Sequence, residues 1–393
     1  MNLLFFYRIF PNYGGVEVVT TILANKFVND GHQVTIVSIE QPHMELAEQL
    51  EKSVKIEKLE YPVISCSNIK KLHSIIINNK IDIIINQWGL PYKTTVLCNR
   101  AIKGTSCKLI SVLHGSPYIS KVIIKAQDKV KSATNVFSRI IYKSILEIKN
   151  FIIKWSIRYN CKHNERYILL SKGFIKPLMD YAHINDSSNI IAIGNPVTIP
   201  VDLTNFSLEN KKKQILYVGR MDYENKRVNR IIEAWELIDK KYPDWELILV
   251  GDGPHKKNLI EYVTLNNILN VKFEGFQEEP PINYYKDASI FMLTSDLEGF
   301  GLVIIESMSY GVVPIVYGSY EAVYDIIDNG KSGYITSQPY NKEATREKIE
   351  FLITHENERK KMAINAMKKA QLFSIDSITN QWYETINKVL SNT

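Results

Sequence analysis

Short apolar runs and helical stretches alternate along the whole chain. The apolar runs are four to seven residues long, and helical patterns separate them. Because the strands of a parallel sheet are buried on both faces, this alternation predicts an α/β fold with helices on both sides of parallel sheets. The predicted strands cover residues 2–6, 33–39, 54–59, 81–85, 108–113, 167–170, 190–193, 214–218, 245–250, 271–274, 289–293 and 312–316.

A polar segment at 196–213 divides these strands into two sets. It contains Pro196 and Pro200 and ends in three consecutive lysines, which is typical of a linker. The chain has 393 residues, enough for two domains with complete cores. We therefore expect one domain at 1–195, a second at 214–374 and a last helix at about 375–390.

Composition excludes several other classes. The hydrophobic content of 45% and charged content of 23% are ordinary for a globular protein. No apolar run approaches the ~20 residues of a membrane-spanning helix, and residues 1–6 are expected to form a strand, not a signal peptide. The four cysteines lack metal-ligand spacing, which favours reduced thiols and a cytoplasmic location.

The positive charge is concentrated in one segment. The net charge is +6, and residues 121–162 alone carry ten Lys or Arg residues against two acids. In this segment Ile141, Ile145, Ile148, Ile152 and Trp155 recur at helical spacing. Such a basic amphipathic helix suits an anionic membrane surface, and packing of the stripe on the first domain is the alternative. No nucleic-acid module is recognisable, so no nucleic-acid partner is expected.

Glycines and basic residues recur where strands of the second half end. Gly219 and Arg220 follow one predicted strand, Lys226 comes six residues after Arg220, and Gly275 and Phe276 follow another strand. Ligands of open α/β sheets bind beyond the carboxyl ends of strands. Arg220 and Lys226 are therefore candidate counter-charges for a diphosphate, and Arg227, the next residue, leaves the second assignment open by one position.

The stretch 294–314, TSDLEGFGLVIIESMSYGVVP, is the most informative part of the chain. It predicts a buried strand, a loop with Glu298, and a helix that begins near Leu302 and carries Glu306. Glycines allow the loop to turn sharply, and the helix N-terminus presents N–H groups that suit a phosphate. Glu306 lies eight residues after Glu298, a little over two helical turns, and can face the same side. A plain strand, turn and helix with Glu306 at the solvent edge is the alternative.

The first half has weaker candidates. Gly14 and Gly15 precede a predicted helix and suit the approach of a phosphate. His114 follows a predicted strand, and a structural hydrogen-bonding role is its alternative. The ring of Trp88 could be a platform on which an acceptor substrate stacks, and a packing role is the alternative. No G-x-G-x-x-G motif is present, which argues against NAD.

The pattern S-x-x-E-G-F-G-L-x-x-x-E-x-x-x-x-G resembles the signature of glycosyltransferase family 4, a family of retaining enzymes. The resemblance spans nearly the whole chain and is most specific at 219–318. It implies the GT-B fold, in which two Rossmann-like domains face each other across a cleft. It also implies an acceptor-side domain at 1–195, a nucleotide-sugar domain at 214–374, and a helix at 375–393 that packs back on the first domain.

The resemblance also implies the reaction. A hexose-type sugar would move from a nucleoside diphosphate sugar, a UDP-sugar foremost, to a hydroxyl of a glycan or polyprenyl-linked acceptor. The expected setting is synthesis of a bacterial capsule, exopolysaccharide or lipopolysaccharide, in the cytoplasm or peripherally on the inner face of the plasma membrane. No cofactor and no metal are expected, because no Asp-x-Asp motif stands at a strand end.

Residue roles follow from the same resemblance. Glu298 would bind hydroxyls of the donor sugar, His114 would approach that sugar, Arg220 and Lys226 would stabilise the diphosphate, and Glu306 would bind the ribose. Four of these residues form the expected catalytic set: Glu298, His114, Arg220 and Lys226. The expected donor-binding set is Gly14, Gly15, Gly219, Gly275, Phe276, Gly299, Phe300, Gly301, Leu302, Val303 and Glu306.

One loop departs from the family pattern. Many relatives have paired glycines after the strand predicted at 312–316, whereas this chain reads YGSYEAVYDII. The choice of donor is therefore the least transferable property. Two other classes stay open, a nucleotide-sugar epimerase on the same fold and a non-catalytic glycan-binding subunit. A phosphorylase that uses pyridoxal phosphate is disfavoured, since no lysine stands in a matching motif.

Overall fold

The computed structural model describes residues 1–116, 118, 121–204 and 206–391. The chain divides into two compact units, one comprising Met1–Asn195 and Ile375–Thr393 and the other Pro196–Ser374. Position 205 of the predicted linker and positions 392 and 393 of the predicted last segment lie outside the described residues.

The first unit is built on a parallel sheet. In its described part the strands are β1 (Asn2–Ile9), β2 (Gln33–Glu40), β3 (Lys55–Lys58), β4 (Ile83–Asn86), β5 (Lys108–Leu113), β6 (Arg166–Leu169) and β7 (Ile190–Ala192). The helices are α1 (Gly15–Asn29), α2 (Cys66–Asn78), α3 (Tyr92–Ala101), α4 (Lys121–Lys131), α5 (Val136–His163) and α6 (Ile175–Ala182). The strand order is β3-β2-β1-β4-β5-β6-β7. β1 is central and apolar, and its residues 3–6 are fully buried.

The second unit repeats this design. Its described strands are β8 (Gln214–Val218), β9 (Glu246–Val250), β10 (Val271–Gly275), β11 (Ile290–Leu293), β12 (Val313–Tyr317) and β13 (Tyr334–Thr336). Its helices are α7 (Val228–Glu236), α8 (Lys256–Leu265), α9 (Ile282–Asp287), α10 (Leu302–Ser309), α11 (Ala322–Ile326), α12 (Lys342–Thr354) and α13 (Glu356–Gln371). The parallel strands follow the order β10-β9-β8-β11-β12-β13, which is the doubly wound order of a Rossmann fold.

The last helix, α14 (Ile375–Ser391), belongs to the first unit. It packs on α1: the Tyr383 hydroxyl donates to Asp30 at 2.7 Å, and Lys26 lies 3.0 Å from Asp376. Its apolar face, including Trp382 and Ile386, is buried. The apolar periodicity of the C-terminus therefore serves the core of the first unit.

The predicted fold class is confirmed: both sheets are parallel and doubly wound. The twelve predicted strands correspond to β1–β12, with most ends shifted by one or two residues and β1 longer by three. The strand β13 was not predicted, because it is three residues long and lies in a polar stretch.

The basic segment forms two helices, α4 and α5, where the periodicity predicts a single amphipathic stripe. Asn135 begins the second helix, and its side chain accepts a hydrogen bond from the N–H of Ser138. Only the C-terminal part of α5 contributes buried side chains, among them Ile157 and Cys161. The predicted alternative, in which the apolar stripe packs on the first domain, holds only at the C-terminal end of the stripe, where the centroid of the Trp155 ring lies 4.6 Å from that of Tyr92. Ile148 and Ile152 are 58% and 49% exposed.

Candidate functional site

The reversal of strand order in the second unit lies between β8 and β11. These strands are neighbours, with Ile215 opposite Ile290 and Leu216 opposite Phe291. In open parallel sheets, the loops that leave two such strands diverge and form a crevice where ligands bind. The loop after β8 carries Gly219, and the loop after β11 carries Glu298. The candidate site therefore lies at the topological switch point of this sheet.

The strand exits of β8, β9 and β10 are joined by backbone hydrogen bonds. The N–H of Gly219 donates to Val250 O at 3.0 Å, and that of Gly251 donates to Gly275 O at 2.8 Å. Gly251 has φ +129°, and a Cβ there would lie 2.0 Å from Gly219 O. The close approach of two loops therefore requires glycine at this position.

Lys226 and Glu298 meet at this edge. Lys226 Nζ lies 2.5 Å from Glu298 Oε1, and their side chains are 22% and 14% exposed. Asp222 fixes the loop below Lys226, because its Oδ1 accepts from the N–H groups of Asn225 at 2.8 Å and Lys226 at 2.9 Å. Two residues that were predicted separately thus form one ion pair.

A second ion cluster lies beside the first. Asp296 accepts from Arg227 Nε and from Arg230 Nη1, both at 2.6 Å. Arg230 also donates to the carbonyl of Thr294 at 3.0 Å. Arg227 is thus occupied with Asp296, and it is Lys226 that reaches Glu298. The sequence did not predict Asp296 and Arg230, because in the sequence they resemble ordinary charged surface residues.

Arg220 differs from both of these basic residues. Its side chain is exposed and makes no hydrogen bond or ion pair within the described part of the chain. Its carbonyl accepts from the hydroxyl of the buried Tyr217 at 2.8 Å, which fixes the backbone of the strand exit. The guanidinium is therefore a free cation on a supported backbone.

Glu306 lies inside the second unit. The residue is 7% exposed, and its Oε2 accepts from the hydroxyl of Tyr285 at 3.0 Å. Its Oε1 accepts from the hydroxyl of Thr198. Burial raises the pKa of Glu306, and these two hydrogen bonds oppose the shift. The predicted alternative, with Glu306 at the solvent edge of a plain helix, is therefore wrong.

Thr198 and Tyr285 were also missed. Thr198 stands 108 residues before Glu306 in the segment predicted as a linker, and Tyr285 is in α9. No periodicity marks either hydroxyl as a partner of the carboxylate. Only the tertiary fold brings them together.

The glycine loop leads into α10. Gly301, the N-cap residue, has φ +101°, and a Cβ there would lie 2.8 Å from both Ile304 Cδ1 and Tyr320 Oη. Gly299, Leu302 and Val303 are half-buried. Phe300 is buried, with its ring centroid 5.6 Å from that of Phe373. Phe300 is thus a core residue, and only its backbone can face a ligand.

Gly275 and Phe276 end the exit of β10. Gly275 has φ +76°, a conformation that side chains rarely adopt. Phe276 is 64% exposed, so its ring is available for stacking against a planar group.

In the first unit, Gly14 and Gly15 lie at the start of α1. Gly14 is the N-cap residue in an extended conformation. A Cβ on Gly14 would lie 2.3 Å from Glu17 Oε2, and burial raises the pKa of Glu17. A carboxyl group therefore occupies the surroundings of the helix N-terminus where a phosphate is predicted.

His114 follows β5 as predicted. Its Nε2 is hydrogen-bonded to Gln87 Oε1, and burial lowers its pKa to about 3. The imidazole is therefore neutral at physiological pH and can exchange hydrogen bonds without adding positive charge. Trp88 packs against the core of the first unit, with Arg8 5.9 Å from its ring centroid, which favours the packing role.

Neither a metal centre nor a membrane-spanning helix is present among the described residues. No group of three or more His, Cys, Asp or Glu side chains among them is arranged to hold a metal ion. Within the same residues, no helix has the length and apolarity needed to cross a bilayer.

Comparison with known proteins agrees with this geometry. Residues 13–198 match the family model described as Glycosyltransferase Family 4, and residues 202–369 match the model described as Glycosyl transferases group 1. The two matches together account for most of the chain. The fold is that of the GT-B glycosyltransferases, and the chain belongs to glycosyltransferase family 4.

The individual relatives share less than a third of their residues with this chain in the matched regions. An uncharacterized glycosyltransferase of Haemophilus influenzae is 29% identical over 50% of this chain and 54% of its own length. The GalNAc-alpha-(1->4)-GalNAc-alpha-(1->3)-diNAcBac-PP-undecaprenol alpha-1,4-N-acetyl-D-galactosaminyltransferase of Campylobacter jejuni is 28% identical over 50% of this chain and 54% of its own. The matched region thus spans about half the length of these relatives.

A solved structure extends the comparison of the fold. HepE of Anabaena, solved in complex with UDP and glucose, matches with a TM-score of 0.74 at 17% identity. The match covers 99% of this chain and 100% of that one. At this level of identity the likeness shows the fold.

Proposed function

We propose that this protein is a retaining glycosyltransferase that transfers a hexose-type sugar from a nucleoside diphosphate sugar, a UDP-sugar foremost. The acceptor is a hydroxyl of a glycan or polyprenyl-linked glycan in cell-surface polysaccharide synthesis. The observation that carries this proposal is the Lys226–Glu298 pair at the switch point of the second sheet. It combines a cation for a diphosphate with a carboxylate for sugar hydroxyls.

The leaving diphosphate is stabilised by fixed positive groups. Arg220 supplies a free guanidinium, Lys226 an ammonium group, and the first turn of α10 its unpaired N–H groups. Negative charge grows on the diphosphate as the bond to the sugar breaks. Preorganised donors that face this charge are usually the largest contribution to catalysis. These groups allow the reaction to proceed without a metal ion.

Glu298 and Glu306 divide the recognition of hydroxyl groups. Glu298 has one oxygen on Lys226 and binds hydroxyls of the donor sugar with the remaining acceptor positions. Glu306 already accepts from two hydroxyls, those of Thr198 and Tyr285. Because the hydrogen-bond partners of this carboxylate are hydroxyl groups, the site suits the two hydroxyls of a ribose. The ribose hydroxyls would replace the Thr198 hydroxyl or bind beside it.

The remaining predicted residues complete the proposal. Gly219, Gly275, Gly299 and Gly301 bring backbone close to the donor, Phe276 borders the base, and Leu302 and Val303 supply N–H groups. For Gly14, Gly15 and His114 of the first unit, contact with the donor stays a prediction. Because His114 is neutral, its contribution is a hydrogen bond and not a charge.

Two similar proteins support this choice of substrates. The Campylobacter jejuni relative is named for an undecaprenol-linked acceptor, and the HepE structure contains UDP and glucose. We therefore include a polyprenyl-linked acceptor and a UDP-sugar donor in the proposed function.

An anionic membrane surface is proposed as the partner of α5. Its exposed apolar side chains form one face: Val136, Phe137, Ile140, Ile141, Ile145, Ile148, Phe151, Ile152 and Trp155. Lys143 and Lys154 lie to the side of this face, and residues 121–162 are strongly basic. Two copies of so basic a segment repel each other, whereas an anionic bilayer attracts both its charge and its apolar face. Polyprenyl-linked acceptors are found at such a surface.

The test of the reaction is consumption of the donor. The purified protein is incubated with a panel of nucleotide sugars and a lipid-linked glycan fraction in the presence of EDTA. Release of a nucleoside diphosphate together with glycosylated lipid is expected for one donor. Conversion of the donor sugar without any acceptor would instead identify an epimerase, and no consumption of any donor would favour the glycan-binding alternative.

A further inference from the structure

Two buried tyrosines of the second unit lie under neighbouring strand exits. They differ in whether the hydroxyl group is hydrogen-bonded. Tyr217 lies beneath Gly219, and its hydroxyl donates to the carbonyl of Arg220 at 2.8 Å. Tyr320 is 3% exposed, and its hydroxyl has no hydrogen-bond partner among the described residues. Buried hydroxyls are nearly always hydrogen-bonded, so the unused one at Tyr320 requires an explanation.

The position of Tyr320 is next to the candidate donor site. A Cβ on Gly301 would lie 2.8 Å from Tyr320 Oη, which places this hydroxyl beside the N-cap residue of α10. Ser319, the preceding residue, donates to the carbonyl of Ser295 at 2.6 Å and so ties this loop to the exit of β11. Tyr320 thus lies under the glycine loop that contains Gly301.

The hydroxyl of Tyr320 is suited to donate a hydrogen bond. Burial raises the pKa of Tyr320, and the nearby carboxylate of Glu298 raises it further. The phenol therefore keeps its proton at physiological pH and needs an acceptor. The nearby Glu298 carboxylate is already paired with Lys226. An oxygen of a ligand at the N-terminus of α10 would satisfy the hydroxyl, and anions are the ligands that this helix end prefers.

We propose that Tyr320 is a further donor-binding residue, and that its hydroxyl donates a hydrogen bond to an oxygen of the bound diphosphate. This inference rests on the proposed function. In the free protein the hydroxyl is covered, and it becomes accessible when the backbone at Gly299 and Gly301 shifts. Glycine backbone permits such a shift, and small rearrangements of this kind are common when ligands bind.

The test is Tyr320→Phe, which removes only the hydroxyl. In the free protein no hydrogen bond is lost, so the melting temperature should stay the same or rise. The affinity for UDP should fall roughly tenfold to a hundredfold, as expected for a lost hydrogen bond to a charged group. Titration calorimetry measures the affinity and differential scanning fluorimetry the stability.

Two matched variants define the controls. Tyr324→Phe removes the hydroxyl of an exposed tyrosine four residues along the chain and should change neither quantity. Tyr217→Phe removes the hydroxyl that bonds to Arg220, so it should lower the melting temperature. The contrast between Tyr217 and Tyr320 distinguishes a structural hydroxyl from one that serves the ligand.

Four results would overturn the inference. If Tyr320→Phe binds UDP as the wild type does, or lowers the melting temperature as Tyr217→Phe does, the hydroxyl does not serve the ligand. If it weakens only the sugar-bearing nucleotide and leaves UDP unchanged, the diphosphate is the wrong acceptor. If the wild type binds no nucleoside diphosphate at all, the proposed function fails and this inference fails with it.

Discussion

Lys226 Nζ lies 2.5 Å from Glu298 Oε1, although 72 residues separate the two in sequence. One residue follows β8 and the other follows β11, so the pair spans the switch point of the second sheet. Each charge compensates the other while both side chains are largely removed from water. The ion pair thus places side by side the two groups that we propose bind the diphosphate and the donor sugar.

The first prediction concerns Glu298→Gln. The substitution keeps the shape of the side chain, removes its charge and frees Lys226. We expect sugar transfer to fall at least about a hundredfold, a loss of roughly 2.7 kcal/mol or more of transition-state stabilisation. Affinity for UDP should stay the same or increase. Turnover and UDP affinity measured separately test this, and near-normal turnover would remove Glu298 from the catalytic set.

The second prediction concerns the ion cluster of Asp296. Asp296→Asn removes the charge shared by Arg227 and Arg230, whose side chains are 27% and 18% exposed. We expect the free energy of unfolding to fall by about 1–3 kcal/mol, since two partly buried cations lose their partner. Urea unfolding measures this. Asp180→Asn, in the exposed pair with Lys176, is the control and should change stability by less than ~0.5 kcal/mol. Equal effects of the two variants would contradict the structural role of Asp296.

The third prediction uses the pH dependence of Glu306. Burial raises its pKa above the ordinary value of 4.5, so the folded state holds this proton more tightly than the unfolded chain does. Between these two pKa values the carboxyl group therefore lowers stability as pH rises. Glu306→Gln should gain stability relative to the wild type from about pH 4.5 upward and show little gain below it. Melting temperatures across this range test the sign, and a gain that shrinks as pH rises would contradict it.

The fourth prediction compares two adjacent tyrosines. Tyr285 is fully buried and donates to Glu306, whereas Tyr284 donates to the exposed Glu274. Tyr285→Phe should lower the free energy of unfolding by about 1–3 kcal/mol and weaken nucleotide binding, because the carboxylate loses a donor. Tyr284→Phe should have neither effect. If both variants behave alike, Tyr285 does not position Glu306.

The fifth prediction concerns the exposed face of α5. Glutamate at both Ile148 and Phe151 should abolish binding to vesicles that contain anionic lipid, because it places charge on the apolar face. The wild type should bind phosphatidylglycerol vesicles and not phosphatidylcholine vesicles, with binding weakened by salt. Leu265→Glu, at an exposed apolar residue of α8, is the control. Cosedimentation measures binding, and equal sedimentation of all three proteins would contradict the membrane proposal.

The sequence predicted those parts of the site that depend on local patterns. The glycines at strand exits and the pair of glutamates around α10 are local features, and parallel topology alone brings the exits of β8 and β11 together. Lys226 and Glu298 were therefore predicted individually, and their ion pair follows from the strand order.

The partners of these residues could not be predicted in the same way. Thr198 reaches Glu306 from the segment that precedes β8, and Tyr285 reaches it from α9. Neither residue differs in its sequence pattern from any surface threonine or core tyrosine. The break between α4 and α5 depends on the cap at Asn135, a single residue within a long amphipathic stretch. Tertiary contacts thus supply what periodicity does not contain.

The most direct measurement is thermal stabilisation of the wild type by UDP, GDP, ADP, CMP and NAD at millimolar concentration without metal. Glu306→Gln and Lys226→Ala serve as controls. Binding to the folded state alone stabilises it by about 2.7 kcal/mol at a ligand concentration a hundred times the dissociation constant. The account predicts stabilisation by a nucleoside diphosphate, UDP foremost, that is reduced in both variants. Absence of a shift with every nucleotide would contradict a donor site at the exits of β8 and β11.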